Sequence, residues 1–84
     1  MTTQQNGPNT NADVEIGDRI ANALIVKNTN VRALSDSTGI AYPTLRRSIS
    51  GGRSLTIREL GSIATALRIK PSALLPPELT EVAA

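Results

Sequence analysis

Through the middle of the chain, apolar residues recur at helical spacing, and nowhere do they alternate as they would along a half-buried strand. Ile16, Ile20 and Leu24 stand four residues apart and predict one stripe on a first helix. That helix is expected to begin around Asp13, whose carboxylate can cap free amides, with Glu15 and Asp18 also near the positive end of the dipole. The pattern fades through Lys27, Asn28 and Thr29. Asn30 is a good N-cap for a short second helix, Val31 to about Ser37, which buries Leu34 together with Val31 or Ala33. Gly39 follows where a positive φ would reverse the chain, and Ile40 anchors the turn. Pro43 fits the first turn of a third helix that begins near Ala41 and runs to about Ser50. Leu45 and Ile49 lie one turn apart on its buried side, and Gly51-Gly52 stops it. Thr56 and Glu59 then form a T-x-x-E capping box, with Leu55 placed to staple onto Leu60. Leu60, Ile63, Ala64 and Leu67 make the stripe of a fourth helix, and Ile69 returns the chain to the core. Pro71 opens one last short turn through Leu75, stopped by Pro76-Pro77.

The two ends lack this order. Residues 1–12 are almost all Thr, Gln, Asn, Gly and Pro, with nothing to bury, and are expected to form a disordered N-terminal arm. The arm holds no Lys or Arg, which argues against a basic arm of the kind that enters a minor groove. Residues 13–76 are assigned to one domain and 77–84 to a C-terminal tail. The fold class predicted is all-α: a compact five-helix domain. At 84 residues the chain has room for one small core, since a domain of this size buries only about 60% of its unfolded surface.

Composition narrows the chemistry. Cysteine and histidine are both absent, which excludes zinc fingers, thiol nucleophiles, disulfide staples and the commonest general base. With no paired acids and no nucleophile beside a base, the expectation is a protein that is not an enzyme and takes no cofactor, metal or small-molecule ligand. No apolar run approaches the roughly 18 to 20 residues of a membrane span, so a cytoplasmic protein without a membrane partner is expected. All nine Lys and Arg residues lie between Arg19 and Lys70, opposed there only by Asp36 and Glu59, while acidic residues flank both sides. A concentrated cationic segment suits a polyanion, because each phosphate contact releases condensed counterions. A solvated basic face fits the charge equally well, so residue order must decide.

Two short helices joined by Thr38-Gly39-Ile40 read as a helix-turn-helix, whose second helix enters the major groove. From Ile16 to Leu75 the chain resembles the Cro and repressor type of helix-turn-helix, also called the Xre family. The resemblance rests on Ile16-Gly17-x-x-Ile20, on Leu34 leading to Thr38-Gly39-Ile40, on Thr44-Leu45-x-Arg47 and on the Gly51 stop. It continues through Leu60-x-x-Ile63-Ala64-x-x-Leu67 to Pro71-x-x-Leu74-Leu75. Each piece is weak alone; their order and spacing carry the match. The chain departs from the family pattern in two places. Val31 stands where many members have Gln, and apolar Leu24 and Ile49 stand where many hold an ion pair, so those two side chains are expected to touch.

The resemblance implies five helices and a DNA-reading surface on the third, carried by Ala41, Tyr42, Pro43, Thr44, Arg46 and Arg47. Periodicity agrees, since burying Leu45 and Ile49 turns Tyr42, Pro43, Arg46 and Arg47 mostly away from the core. Arg46 and Arg47 are the strongest candidates, because an arginine fork can donate two hydrogen bonds to guanine. Tyr42 is the one aromatic residue, with phosphate or thymine-methyl contact set against local packing. Asn30, Arg32, Ser50, Gly52 and Arg53 are assigned to phosphate contact, with helix capping as the rival role of Asn30 and a helix stop as that of the glycines.

The function expected is a sequence-specific regulator of transcription that occupies double-stranded operator DNA, of the phage Cro or immunity-repressor kind, with a homodimer on DNA in view. Leu74, Leu75, Leu79 and Val82 are the candidates for its dimer surface. The alternatives are a protein-interaction module on the same fold, such as an antitoxin or anti-repressor, and an excisionase-like recombination accessory protein.

Overall fold

A computed structural model describes residues 11–76, which form four α-helices and one 3₁₀ turn, with no strand among them. The helices are α1 (Asn11–Val26), α2 (Val31–Thr38), α3 (Tyr42–Ile49) and α4 (Ile57–Leu67), followed by the 3₁₀ turn Pro71–Leu74. The fifth helix expected from the sequence is therefore a single tight turn. Two prolines bracket it, and four residues are too few to close an α-helical ladder. α1 begins at Asn11, so residues 11 and 12 belong to the helix and not to an arm. Asp13 accordingly lies inside the first turn instead of capping it, and its carboxylate accepts a hydrogen bond from the Ser54 hydroxyl at 2.7 Å. The expectations of a disordered arm and of a C-terminal tail otherwise fall on residues 1–10 and 77–84, outside the described residues.

Each helix delivers its predicted stripe to one core. Ile20 and Leu24 from α1, Leu34 from α2, Leu45 from α3, Ile63, Ala64 and Leu67 from α4, and Leu74 from the 3₁₀ turn are all buried. Ile16, Val31, Ile40, Ile49, Leu55, Leu60 and Ile69 pack around them. Leu24, one of the apolar pair expected to touch, is in this cluster, and Ile49 packs against it. α1 packs on α3 and on the 3₁₀ turn, while α2 packs on α3 and α4. At eight residues each, α2 and α3 are too short to persist alone in water, so this packing is what holds them helical.

The close approach of α1 to α3 has a specific cause. A Cβ built on Gly17 would overlap the carbonyl oxygen of Ile49, at the last turn of α3. The bare α-carbon lets the two backbones meet there. Gly51, just past α3, has φ +86° and faces Val14 of α1, so the same junction needs a second glycine for its left-handed backbone. No helix among the described residues is long and apolar enough to cross a membrane.

Candidate nucleic-acid interface

The turn between α2 and α3 is wired by its own side chains. Asn30 caps α2, its side-chain oxygen accepting from the Ala33 amide at 2.9 Å. Gly39 ends α2 with φ +79° and donates its N–H to the Ser35 carbonyl. The Ser35 hydroxyl donates to the Ile40 carbonyl at 2.6 Å, and the Thr38 hydroxyl donates to the Leu34 carbonyl at 2.8 Å while accepting from the Ile40 amide. Sequence reasoning identified the glycine but missed Ser35 and Thr38. Polar residues at the end of a short helix look like solvent-facing positions until the turn folds over them.

α3 has two faces that share no residue. Leu45 and Ser48 are buried at 0% and 1% exposure, and Ile49 is half-buried against the core. Pro43, Arg46, Arg47 and Ser50 are exposed, and their spacing of three, four and seven residues places them in one outward stripe. Ala41 is exposed at the N-cap, while Tyr42 and Thr44 are half-buried at its sides. Of the residues assigned to base reading, Pro43, Arg46 and Arg47 thus share one stripe, while Ala41, Tyr42 and Thr44 lie beside it. Among the described residues neither Arg46 nor Arg47 has a side-chain hydrogen bond or ion pair, although both stand in the last turn of α3, where the dipole favours cations.

Arg32 and Tyr42 meet across the turn, the guanidinium carbon lying 4.5 Å from the ring centroid. The ring is thus partly covered by a cation, worth about 0.5–1 kcal/mol at an exposed site. This contact sets Arg32, which is itself exposed, beside the start of the outward stripe. Asn30 is exposed as well, with its side chain occupied in capping.

The loop after α3 is more heavily bonded than the sequence implied. Gly52 donates its N–H to the Arg47 carbonyl at 2.9 Å and Gly51 donates to the Ser48 carbonyl at 3.1 Å, a Schellman closure of α3. The Gly52 amide, assigned above to a phosphate, is spent inside this helix stop. The Ser50 hydroxyl donates to the Arg47 carbonyl at 3.0 Å and remains on the surface. Arg53 donates from Nη1 to the Ser48 hydroxyl at 2.7 Å and from Nη2 to Oε2 of Glu59 at 2.8 Å. Glu59 is also the far half of the predicted capping box, which is complete: its Oε1 accepts from the Thr56 amide, and its own amide donates to the Thr56 hydroxyl, both at 3.0 Å. The Arg53 hydrogen bond, ahead of the bonds from Thr56, holds the Glu59 carboxyl below its ordinary pKa against the opposing effect of burial.

The dimer-surface candidates are placed less favourably. Leu74 is a core residue at 1% exposure and Leu75 is half-buried, so neither offers a free apolar face; Leu79 and Val82 lie outside the described residues. Among the described residues, the large apolar side chains that reach solvent are Val14, Ile25, Val26 and Ile57.

No family model matches this sequence, and no curated protein matches it. Among solved structures the chain is similar to the restriction-modification controller protein C.AhdI from Aeromonas hydrophila, with 24% sequence identity and a TM-score of 0.71 over 74% of this chain and 94% of that one. The likeness spans nearly all of the controller protein and most of the described residues here. It shows that the two chains share a fold.

Proposed function

We propose that the protein is a regulator that binds double-stranded DNA, seating α3 in the major groove and reading base edges from its outward stripe. The observation that carries this reading is the pair Arg46 and Arg47: exposed, without side-chain partners among the described residues, on the outer face of a helix whose inner face is locked into the core. Two unpaired guanidinium forks on one rigid face match the acceptor pairs that guanine presents in the major groove. Pro43 lies in the same stripe, Ala41, Tyr42 and Thr44 border it, and together they complete the base-reading set. Arg32 and the capped N-terminus of α2 behind Asn30, beside the stripe, and Ser50 at its end serve as phosphate contacts that fix register. Within this reading, the resemblance to Cro and repressors favours a regulator that acts by occupancy, of the phage Cro-like or immunity-repressor kind.

The test is selection of binding sites from a random-sequence duplex pool, followed by titration of the enriched duplex at two salt concentrations. The reading requires an enriched sequence, a steep salt dependence, and loss of discrimination by about 1–3 kcal/mol in Arg46→Ala or Arg47→Ala. No enrichment, or binding indifferent to both salt and Arg46→Ala, overturns it and turns attention to a protein partner.

A further inference from the structure

Arg53 is a cation beside the reading helix, and charge alone assigns it to the phosphate backbone. Its geometry says otherwise. Both terminal nitrogens of the guanidinium donate within the molecule, one to Ser48 of α3 and the other to Glu59 of α4. Each partner is itself tied. Ser48 is 1% exposed, and its hydroxyl also donates to the Thr44 carbonyl at 3.2 Å, one turn earlier in α3. Glu59 uses one carboxylate oxygen for Arg53 and the other for the capping box that starts α4. A continuous chain of hydrogen bonds therefore runs from the first turn of α4 through Glu59, Arg53 and Ser48 to Thr44.

We infer that Arg53 is a positioning residue and not a phosphate ligand: it clamps the inner face of α3 to the start of α4 and thereby fixes the angle at which Arg46 and Arg47 meet DNA. The inference rests on the DNA-reading proposal above. A clamp is useful at this point because α3 is eight residues long, ends at two glycines, and meets α4 through an irregular loop. Apart from Ile49 in the core, the C-terminal turn that carries both arginines meets α1 at Gly17 and Gly51, and the Arg53 tie adds a hold from α4. The planar fork matters, since it reaches two acceptors in different directions at once, which a lysine ammonium on a flexible stem does not reproduce.

Three variants separate clamp from ligand: Arg53→Lys, Arg53→Ala and Glu59→Gln, each titrated against the enriched duplex and a scrambled duplex across a salt series. A clamp predicts that all three lose affinity for the enriched duplex by about tenfold or more, the scale of a hydrogen bond to a charged group. They should leave the scrambled duplex nearly unaffected and the salt slope unchanged. A phosphate ligand predicts the reverse pattern. Arg53→Lys would behave as the parent, Arg53→Ala would weaken both duplexes alike and lower the salt slope by about 0.9, and Glu59→Gln would free the cation and tighten both. Either Lys rescue or a tighter Glu59→Gln overturns the inference. If Arg53→Ala proves unfolded by circular dichroism, Arg53→Lys alone decides. If the random pool yields no enriched sequence, the DNA-reading proposal falls instead, and amide exchange in the free protein judges the clamp. Faster exchange at Ser48 and Ile49 in Arg53→Lys supports it, and unchanged exchange refutes it.

Discussion

Replacing Gly17 by alanine sets two effects of known size against each other. In an exposed helix interior the change removes the entropic handicap of glycine and stabilises by about 0.5–1 kcal/mol. At Gly17 the added methyl would overlap the Ile49 carbonyl oxygen and lie 2.8 Å from its carbonyl carbon. Both are backbone atoms, so no rotamer change relieves the clash and α1 must move off the end of α3. Overpacking of this kind costs about 1–3 kcal/mol, which exceeds the propensity gain. The expected net loss is about 1–2 kcal/mol, or about 5–15 °C in Tm for a domain of this size. Gly61 supplies the internal control. It lies within α4, and a Cβ there meets nothing within 4 Å, so Gly61→Ala is expected to raise Tm through propensity alone. Thermal unfolding followed by far-ultraviolet circular dichroism on the two single variants reads the difference. Equal Tm changes of the same sign would show that α1 and α3 do not meet through Gly17. If α3 reads DNA as proposed, a destabilised Gly17→Ala should also bind the enriched duplex more weakly when assayed well below its Tm, because α3 is the helix displaced.

Other outcomes follow from single contacts. Thr56→Ala removes the hydroxyl that accepts from the Glu59 amide and is expected to cost about 1 kcal/mol, measured by urea unfolding. Glu59 has a lowered folded-state pKa, so its contribution is fully present above its unfolded value near 4.5 and is lost as pH falls through the lower folded value. The stability gap between the parent and Glu59→Gln should therefore shrink below about pH 4.5 and hold constant from there to neutrality; a gap that widens in acid contradicts the bonding described. Leu45→Ala empties a fully buried site and should cost about 2–5 kcal/mol, with helicity and DNA binding lost together on heating. A double-mutant cycle on Arg32→Ala and Tyr42→Leu is expected to give a coupling of about 0.5–1 kcal/mol, and strict additivity would mean that the stacking contributes nothing.

Most of the fold was readable because its signals are local. The Asn30 cap, the left-handed Gly39 and the Thr56 and Glu59 capping box each work within four residues, so order alone reveals them. The apolar stripes of α1 and α4 were likewise visible as periodicity. What escaped depends on partners distant in sequence or on chemistry that composition hides. Asn11 and Ala12 look like the polar arm before them, yet they lie in the helix, and the carboxylate of Asp13 next to them is bonded to Ser54. α4 ends at Arg68 with φ +60°, a position where glycine or asparagine would have been the readable signal. Ser48 is a polar residue at a core position, its hydroxyl satisfied by Thr44 and Arg53, and no hydrophobic pattern marks it. For the candidate interface, helical spacing fixed which residues share the outward stripe. It gave no means of telling the free arginines Arg46 and Arg47 from the committed Arg53, because all three are alike until the loop brings Glu59 within reach.

The disjoint faces of α3 bear on how such a protein can change over generations. Leu45 and Ser48 answer only to the core, and Pro43, Arg46, Arg47 and Ser50 answer only to whatever lies outside it. Under the proposed reading, substitutions in the outer set alter recognition with little effect on folding, so lineages can drift from one target site to another through viable intermediates. The inner set and the glycines behind it stay constrained throughout, leaving the scaffold to be inherited while its specificity diverges.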